Sequence, residues 1–301
     1  MSKDKEDVKD TLGKRMKEYE AEWNSVHLDL SKPIYARIDG RHFSKLTKHF
    51  GYPYSDIVNY PNIQNGKYYN TFFVDLMKKV AVSLLKEFSA DIVETHSDEI
   101  SLGWKDGVRI PFNGEYFKLV SNMASYASSV FMRLVWEDDH YCGPNGFGES
   151  PETDIIFDHK HIPSFDCRIL NVPDLMELVN CFVWRQNDCI RGTINQFSQI
   201  WFSHKQLHGK TIEDRLKMLE DSGHGKYLKS EEFENLKYGS FFKTKSVILP
   251  IDEEFKKFHP EEETMIRHKV FQMFPGRLST SEDKIKCLFE DETVKCVEVD
   301  T

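Results

Sequence analysis

Asp39, in the string Ile34-Tyr-Ala-Arg-Ile-Asp-Gly-Arg-His-Phe, and Asp98-Glu99, in Val93-Glu-Thr-His-Ser-Asp-Glu-Ile-Ser-Leu, are the residues of this chain best placed to do chemistry. An ionised carboxylate beside an apolar alternation is rarely packing material, because its oxygens have no reason to leave water unless a positive charge meets them. Two carboxylates brought together repel, and they stay together only if one is protonated or a cation lies between them. Mg²⁺ fits such a pair, since it takes hard oxygen ligands, with water and substrate phosphates completing its shell. Two such ions roughly 4 Å apart can activate an attacking oxygen and shield a leaving phosphate. Gly40 suits this chemistry because, without a side chain, it lets the backbone approach phosphate and offers its carbonyl as a further ligand. Arg41 and Lys118 are candidates to neutralise triphosphate oxygens, and Ser97 offers a hydroxyl next to the second acid. The plain alternative is that Asp39-Gly40 is an ordinary turn dipeptide and Ser97-Asp98-Glu99 merely closes a hairpin.

Positioning these acids falls to the elements around them. Ile34, Ala36 and Ile38 share one face at strand period, as do Ile100, Leu102 and Trp104, so both acidic centres sit at strand ends. Leu12, Met16, Tyr19 and Trp23 fall at helical spacing and predict an N-terminal helix docked by one stripe. After a strand at about 33 to 39, helices are expected at about 68 to 88, with Phe72, Leu76, Val80 and Leu84 inward, and at about 115 to 136. The second of these carries Phe117, Val120, Ala124, Ala127, Phe131 and Val135 on its buried side. Between Glu137 and Ser164 the chain is acidic and rich in Gly, Pro and His, the composition of a loop insertion. A strand at Ile169-Leu-Asn-Val, a helix at about 174 to 202, a helix near 211 to 221 and a strand pair ending in Val247-Ile-Leu follow. Phe182 and Trp184 are both expected in the core of the long helix.

Strand, helix, hairpin, helix, strand is the order of an α+β fold, an antiparallel sheet with helices on one face, as in ferredoxin-like and polymerase-palm domains. In that plan the first strand lies beside the hairpin, and Asp39 converges with Asp98. The expected organisation is an N-terminal helix over 1–30, a palm-like catalytic domain over 31–202, a basic helix and strand region over 203–260, and a C-terminal extension over 261–301.

Bulk properties narrow the class further. The chain has 301 residues, a formal charge of -9 and a pI near 5.8, which argues against non-specific coating of nucleic acid and requires any polyanion to be met by a local patch. Cys142, Cys167, Cys181, Cys189, Cys287 and Cys296 form no Cys-x-x-Cys pair and read as inert packing in a reduced, cytoplasmic protein. His159 and His161 lack a third zinc ligand. The charged N-terminus and the absence of a long apolar run predict a protein with no membrane association.

Four strings carry a resemblance: Arg37-Ile-Asp-Gly-Arg-His-Phe, His96-Ser-Asp-Glu-Ile-Ser, Phe165-Asp-Cys-Arg and Trp184-Arg-Gln-Asn-Asp-Cys. In this order they resemble the tRNA-His guanylyltransferase family, enzymes that extend RNA in the 3′-to-5′ direction, over roughly residues 10 to 250. The resemblance implies a palm fold, nucleotidyl transfer with two Mg²⁺ ions, ATP and GTP as substrates, tRNA as partner, and a homotetramer built from dimers. It further implies Asp39 and Asp98 as metal ligands, with Gly40 supplying a backbone carbonyl and Glu99 a supporting catalytic acid. Asp39, Gly40, Arg41, His42, Phe43 and Ser44, with Ser97, Asp98 and Lys118, correspond to the nucleotide-binding positions. Tyr52 stands where an activation-site lysine is expected, and Glu115 where an arginine is expected.

Ile190-Arg-Gly-Thr replaces the His-Ile-Asn-Asn of the enzymes dedicated to tRNA-His. Leu12-Gly-Lys-Arg-Met-Lys-Glu-Tyr-Glu and Leu207-His-Gly-Lys-Thr instead resemble the guanylyltransferase-like branch, which repairs truncated tRNA 5′ ends by copying the opposite strand; Gly192 departs from that branch's Asn. Alternatives are a dedicated tRNA-His G-1 guanylyltransferase, a nucleotidyl cyclase and a non-catalytic RNA-binding protein. Arg37, Arg168, Arg185, Arg191, Lys205, Lys210, Lys243 and Lys245, with Asp188 beside them, are candidate RNA contacts, for which salt bridges and solvated surface are the plain alternatives.

Overall fold

A computed structural model describes residues 3–43, 71–137, 162–251, 256–258, 263–278, 283–290 and 294–299. Helix α1 (Lys3–Asn24) leads into β1 (Ile34–Arg41), followed by α2 (Thr71–Glu87), β2 (Ile92–His96), β3 (Glu99–Trp104), α3 (Tyr116–Glu137), β4 (Ser164–Asn171) and α4 (Leu175–Trp201). Short helices α5 (His204–Leu207), α6 (Ile212–Leu219), α7 (Gly225–Leu228) and α8 (Glu231–Tyr238) precede β5 (Ser240–Pro250), β6 (Thr264–Met273), α9 (Asp283–Phe289) and β7 (Cys296–Glu298). The strands form one antiparallel sheet in the order β4-β1-β3-β2-β5-β6-β7. This is the α+β antiparallel architecture that the element order predicts. The segments set apart as 203–260 and 261–301 supply β5, β6 and β7 to this same sheet, so the sheet runs through all three of the expected divisions from residue 31 onward.

Alternation along β1 divides its residues between two layers. Ile34, Ala36 and Ile38 join the core that α2 and α3 close over one face, with Leu76, Val80, Leu84, Ala127 and Phe131. Tyr35 points the other way, into a second core with Ile92, Phe241 and the α4 residues Leu178, Val179 and Phe182. The sheet therefore carries helices on both faces, where the sequence suggested one. The cause is legible in the strands: Tyr35, Ile92 and Phe241 are apolar on the face that a one-sided plan would give to solvent, and α4 covers them. Asp174 starts that helix by accepting a hydrogen bond from the Glu177 backbone N–H at 2.9 Å.

Three expected packing positions differ. Leu12, Met16 and Tyr19 on α1 are exposed, so the helix does not dock by that stripe; the Trp23 side chain lies outside the described residues. On α3, Phe117 is exposed and the buried face instead includes Leu119 and Met123. Trp184 is 53% exposed while Phe182 is fully buried, because two residues on a helix point about 200° apart. The Phe72 side chain, residues 138–161 of the expected insertion, with Cys142, His159 and His161, and the activation-site position Tyr52 fall outside the described residues.

Candidate active site

The two acids enter from neighbouring strands. In β1 Asp39 lies opposite Glu99 of β3, so the end of β1 abuts the β2–β3 turn at Ser97-Asp98. Ser97 takes a positive φ of 51°, the left-handed geometry that lets a two-residue turn join twisted strands. The turn is tied back to β1 by the Gly40 N–H, which donates to the Asp98 carbonyl at 2.9 Å. A Cβ on Gly40 would stand 2.6 Å from the Phe43 ring and 2.9 Å from the Asp98 Cβ, so glycine is what permits this approach.

Electrostatics records the convergence. Burial raises the Asp98 pKa above its ordinary value and the Asp39 charge raises it further, against the pull of hydrogen bonds from its own backbone and from Ser97. Two acids sharing one site in this way call for positive charge. Among the described residues no group of three His, Cys, Asp or Glu side chains could hold a metal. Mg²⁺ needs no such group: the Asp39 and Asp98 carboxylates and the Gly40 carbonyl are hard oxygens that could hold it, with water and phosphate completing the shell.

Glu99 has a different surrounding. Its carboxylate is buried and held bidentate by the buried Arg185 of α4, Nη2 to Oε2 at 2.8 Å and Nε to Oε1. Arg37 stands 4.0 Å away from the same carboxylate. Burial raises the Glu99 pKa, while the neighbouring His96 and Arg185 favour its charged form. This pair fastens α4 to the end of the sheet that carries Asp39 and Asp98. Beneath it, His96 Nδ1 lies 2.6 Å from Oε1 of the fully buried Glu94, whose Oε2 has no hydrogen-bond partner among the described residues. Burial opposes protonation of His96, but the Glu94 carboxylate raises its pKa above the ordinary histidine value. The pairing of Glu94 with His96 was not foreseen; its only signal is that the two stand two residues apart in β2 and so share a strand face.

A cavity of about 200 Å³ opens beside the turn, with Ser97, Asp98, Glu99, Asp188, Gly192 and Gln196 in its wall. Arg41 and His42 are exposed at the end of β1, and Phe43 is buried against Phe73, Phe131 and Phe165. Ser44 lies outside the described residues.

Lys118 is not brought to these acids within the subunit. Helix α3 runs antiparallel to β4, with Ser128 Oγ accepting from the Phe165 N–H at 3.1 Å near Gly40, and Met123 meeting Cys167. Ten helical residues earlier, Lys118 lies about 15 Å further along the axis. There it pairs with Glu115 at 2.7 Å, at the opposite end of the sheet.

The candidate RNA contacts also separate. Arg185 is committed to Glu99 and Asp188, and Lys243 is buried. Arg168 is largely exposed beside Asp166 at 3.9 Å, and Arg191 pairs with Asp188. Lys205 and Lys210 are exposed, Lys245 half-buried. Cysteines 167, 181, 189, 287 and 296 form no disulfide, and burial pushes the Cys167 thiol up to about 12. Among the described residues, no helix is long and apolar enough to cross a membrane.

The geometry can be set beside known proteins. A bacterial tRNA(His) guanylyltransferase (Thg1)-like protein in complex with ATP is 24% identical, with a TM-score of 0.58, over 78% of this chain and 87% of that one. A bacterial tRNA(His) guanylyltransferase (Thg1)-like protein in complex with GTP is 19% identical, with a TM-score of 0.51, over 86% and 90%. The tRNA(His) guanylyltransferase of Saccharomyces cerevisiae is 23% identical, with a TM-score of 0.52, over 72% and 88%. At these identities the likeness is one of fold. No curated protein matches the sequence. The family model for tRNAHis guanylyltransferase matches residues 13–173. That match spans more than half of the chain and takes in β1, the β2–β3 turn and β4, and the chain belongs to this family of nucleotidyltransferases.

Proposed function

We propose that this protein adds nucleotides to the 5′ end of tRNA or tRNA-like RNA in the 3′-to-5′ direction, copying the opposite strand, as a repair enzyme. The observation that carries the reading is the meeting of Asp39 and Asp98 at the end of β1, with the Asp98 charge disfavoured by burial and by Asp39. The RNA 5′ monophosphate first attacks the α-phosphate of ATP, expelling pyrophosphate and leaving an adenylylated 5′ end, or the RNA enters as a 5′ triphosphate. The 3′-hydroxyl of an incoming nucleotide then attacks the activated 5′ phosphate, and AMP or pyrophosphate departs.

Asp39, Asp98 and the Gly40 carbonyl would hold two Mg²⁺ ions, which supply the positive charge that acidifies the attacking hydroxyl and steadies the leaving oxygen. The chain itself contributes position. The hydrogen bond from Gly40 to the turn fixes the two carboxylates relative to each other, and the Glu99–Arg185 pair holds α4 against them. Arg41, exposed two residues beyond Asp39 on the same strand face, would meet triphosphate oxygens. Base pairing supplies the choice of nucleotide, so the protein needs to grip only backbone and shape. A homotetramer in the cytoplasm, with basic patches of several subunits combined, would reconcile an acidic chain with a long RNA.

Incubation with Mg²⁺, ATP, GTP and a panel of 5′-truncated tRNAs including tRNA-His tests the reading. Growth of several truncated ends, following the complementary base, is expected. Growth of tRNA-His alone would make the protein a dedicated guanylyltransferase, cyclic nucleotide formed without RNA a cyclase, and no product an RNA-binding protein.

A further inference from the structure

Trp184 stands out on the helix that seals the outer face of the sheet. Its neighbours at buried positions, Phe182, Arg185 and Gln186, point inward, while the indole is 53% exposed. Two guanidinium groups hold it: the Arg185 Cζ lies 4.6 Å from the ring centroid and the Arg37 Cζ 5.7 Å. Each of these arginines is itself anchored on Glu99. The ring is thus fixed by cation–π contacts and by a buried ion pair, an unusual degree of restraint for a side chain open to solvent.

Its position relates it to the reacting end. Arg37 is two residues before Asp39 on the same strand face, a step of about 7 Å. The guanidinium against the indole thus stands one strand repeat from Asp39, on the same face of β1. The adjoining face of β4 is exposed. On the edge strand β4, Asp166, Arg168 and Leu170 alternate with the core residues Phe165, Cys167 and Ile169, and are exposed. Arg168 lies opposite Arg37 in the β1–β4 register. A surface with two guanidiniums on its floor and an indole at its border offers cations to a phosphodiester backbone and a π face to a base.

We propose that Trp184 is the stacking platform for the terminal nucleobase at the 5′ end of the RNA, an inference that rests on the function proposed above. An enzyme that copies a template must hold ends of any sequence. Hydrogen-bond readout would restrict it, whereas stacking accepts every base.

The test uses the full-length protein and a 5′-truncated tRNA carrying 2-aminopurine as its terminal 5′ nucleotide, whose fluorescence is quenched on stacking. Wild type should quench it on binding. Trp184→Leu and Trp184→Ala should leave it bright and weaken RNA binding roughly ten- to a hundredfold, the range of single base–aromatic contacts, with the KM for free nucleotide unchanged. Trp184→Phe, which keeps a ring, should restore quenching and binding to within a few fold, and this rescue separates stacking from loss of fold. Wild type that does not bind the RNA, or binds it without quenching, overturns the inference, as does an unchanged RNA affinity in Trp184→Leu or a rise confined to the nucleotide KM. Quenching by wild type with no nucleotide addition would leave the stacking site standing and reject the proposed function instead.

Discussion

The backbone N–H of Gly40 donates to the carbonyl of Asp98 across 2.9 Å, joining the end of one strand to the turn between two others. One hydrogen bond thereby sets the spacing of the two acids on which the proposed chemistry depends. Gly40→Ala should disturb both fold and activity, because its methyl group would enter the Phe43 ring at 2.6 Å and the Asp98 Cβ at 2.9 Å. Overpacking of this kind costs about 1–3 kcal/mol, read by denaturant unfolding, with nucleotide addition lost in parallel. A variant as stable and active as wild type would show that the strand and turn need not approach this closely.

Asp98 carries a pH-dependent prediction. Its pKa is raised by burial and then by the Asp39 charge. A group raised in the folded state contributes stability that is full below its unfolded pKa and lost as pH climbs through the folded one. Asp98→Asn, uncharged at every pH, should therefore melt above wild type at pH 7 in EDTA, with the gap closing as the pH falls into the carboxylate range. Nucleotide addition should vanish, and Mg²⁺ should raise the wild-type midpoint without raising that of the variant. A variant that melts lower than wild type in EDTA at pH 7 would contradict the electrostatic account.

The Glu99–Arg185 pair is buried on both sides. Arg185→Met leaves a buried carboxylate without its partner and should cost about 3–5 kcal/mol. Arg185→Met combined with Glu99→Met should recover most of that loss, since apolar replacement of a whole buried pair is close to neutral. Denaturant titration of Arg185→Met, Glu99→Met and the double variant completes the cycle, and an Arg185→Met cost below about 1 kcal/mol would mark the pair as solvent-screened.

Gly192 sits within α4 and lines the cavity beside Asp98, and among the described residues nothing but the backbone of its own helix lies within 4 Å of where a Cβ would stand. Gly192→Ala should stabilise the protein by about 0.5–1 kcal/mol through the unfolded chain and helix propensity. A thermal midpoint at or below wild type would show that the open space is filled by contacts in the native assembly.

Much of this arrangement was legible in residue order. The Ile34–Ile38 alternation, the Ser97-Asp98 hairpin turn and the apolar repeat of α2 each report a local period, and local periods survive folding. The position of Lys118 was not legible, because it depends on the direction in which α3 lies across β4. Likewise Trp184 and Phe182 look alike as apolar members of one helix, and only the contact between α4 and the sheet's second face separates a buried ring from an exposed one. The Glu99–Arg185 pair spans 86 residues, and nothing in either local string marks the other as its partner. The exposure of Leu12, Met16 and Tyr19 belongs to the same class: amphipathic period shows that a face exists, not that this subunit covers it.

The most direct measurement is anomalous diffraction from crystals soaked with Mn²⁺ and GTP, Mn²⁺ standing in for Mg²⁺ as a hard, oxygen-bound ion. Anomalous peaks flanked by the Asp39 and Asp98 carboxylates and the Gly40 carbonyl, absent in Asp39→Asn, are predicted. A metal bound with nucleotide at another place, with those carboxylates left uncoordinated, would contradict the account.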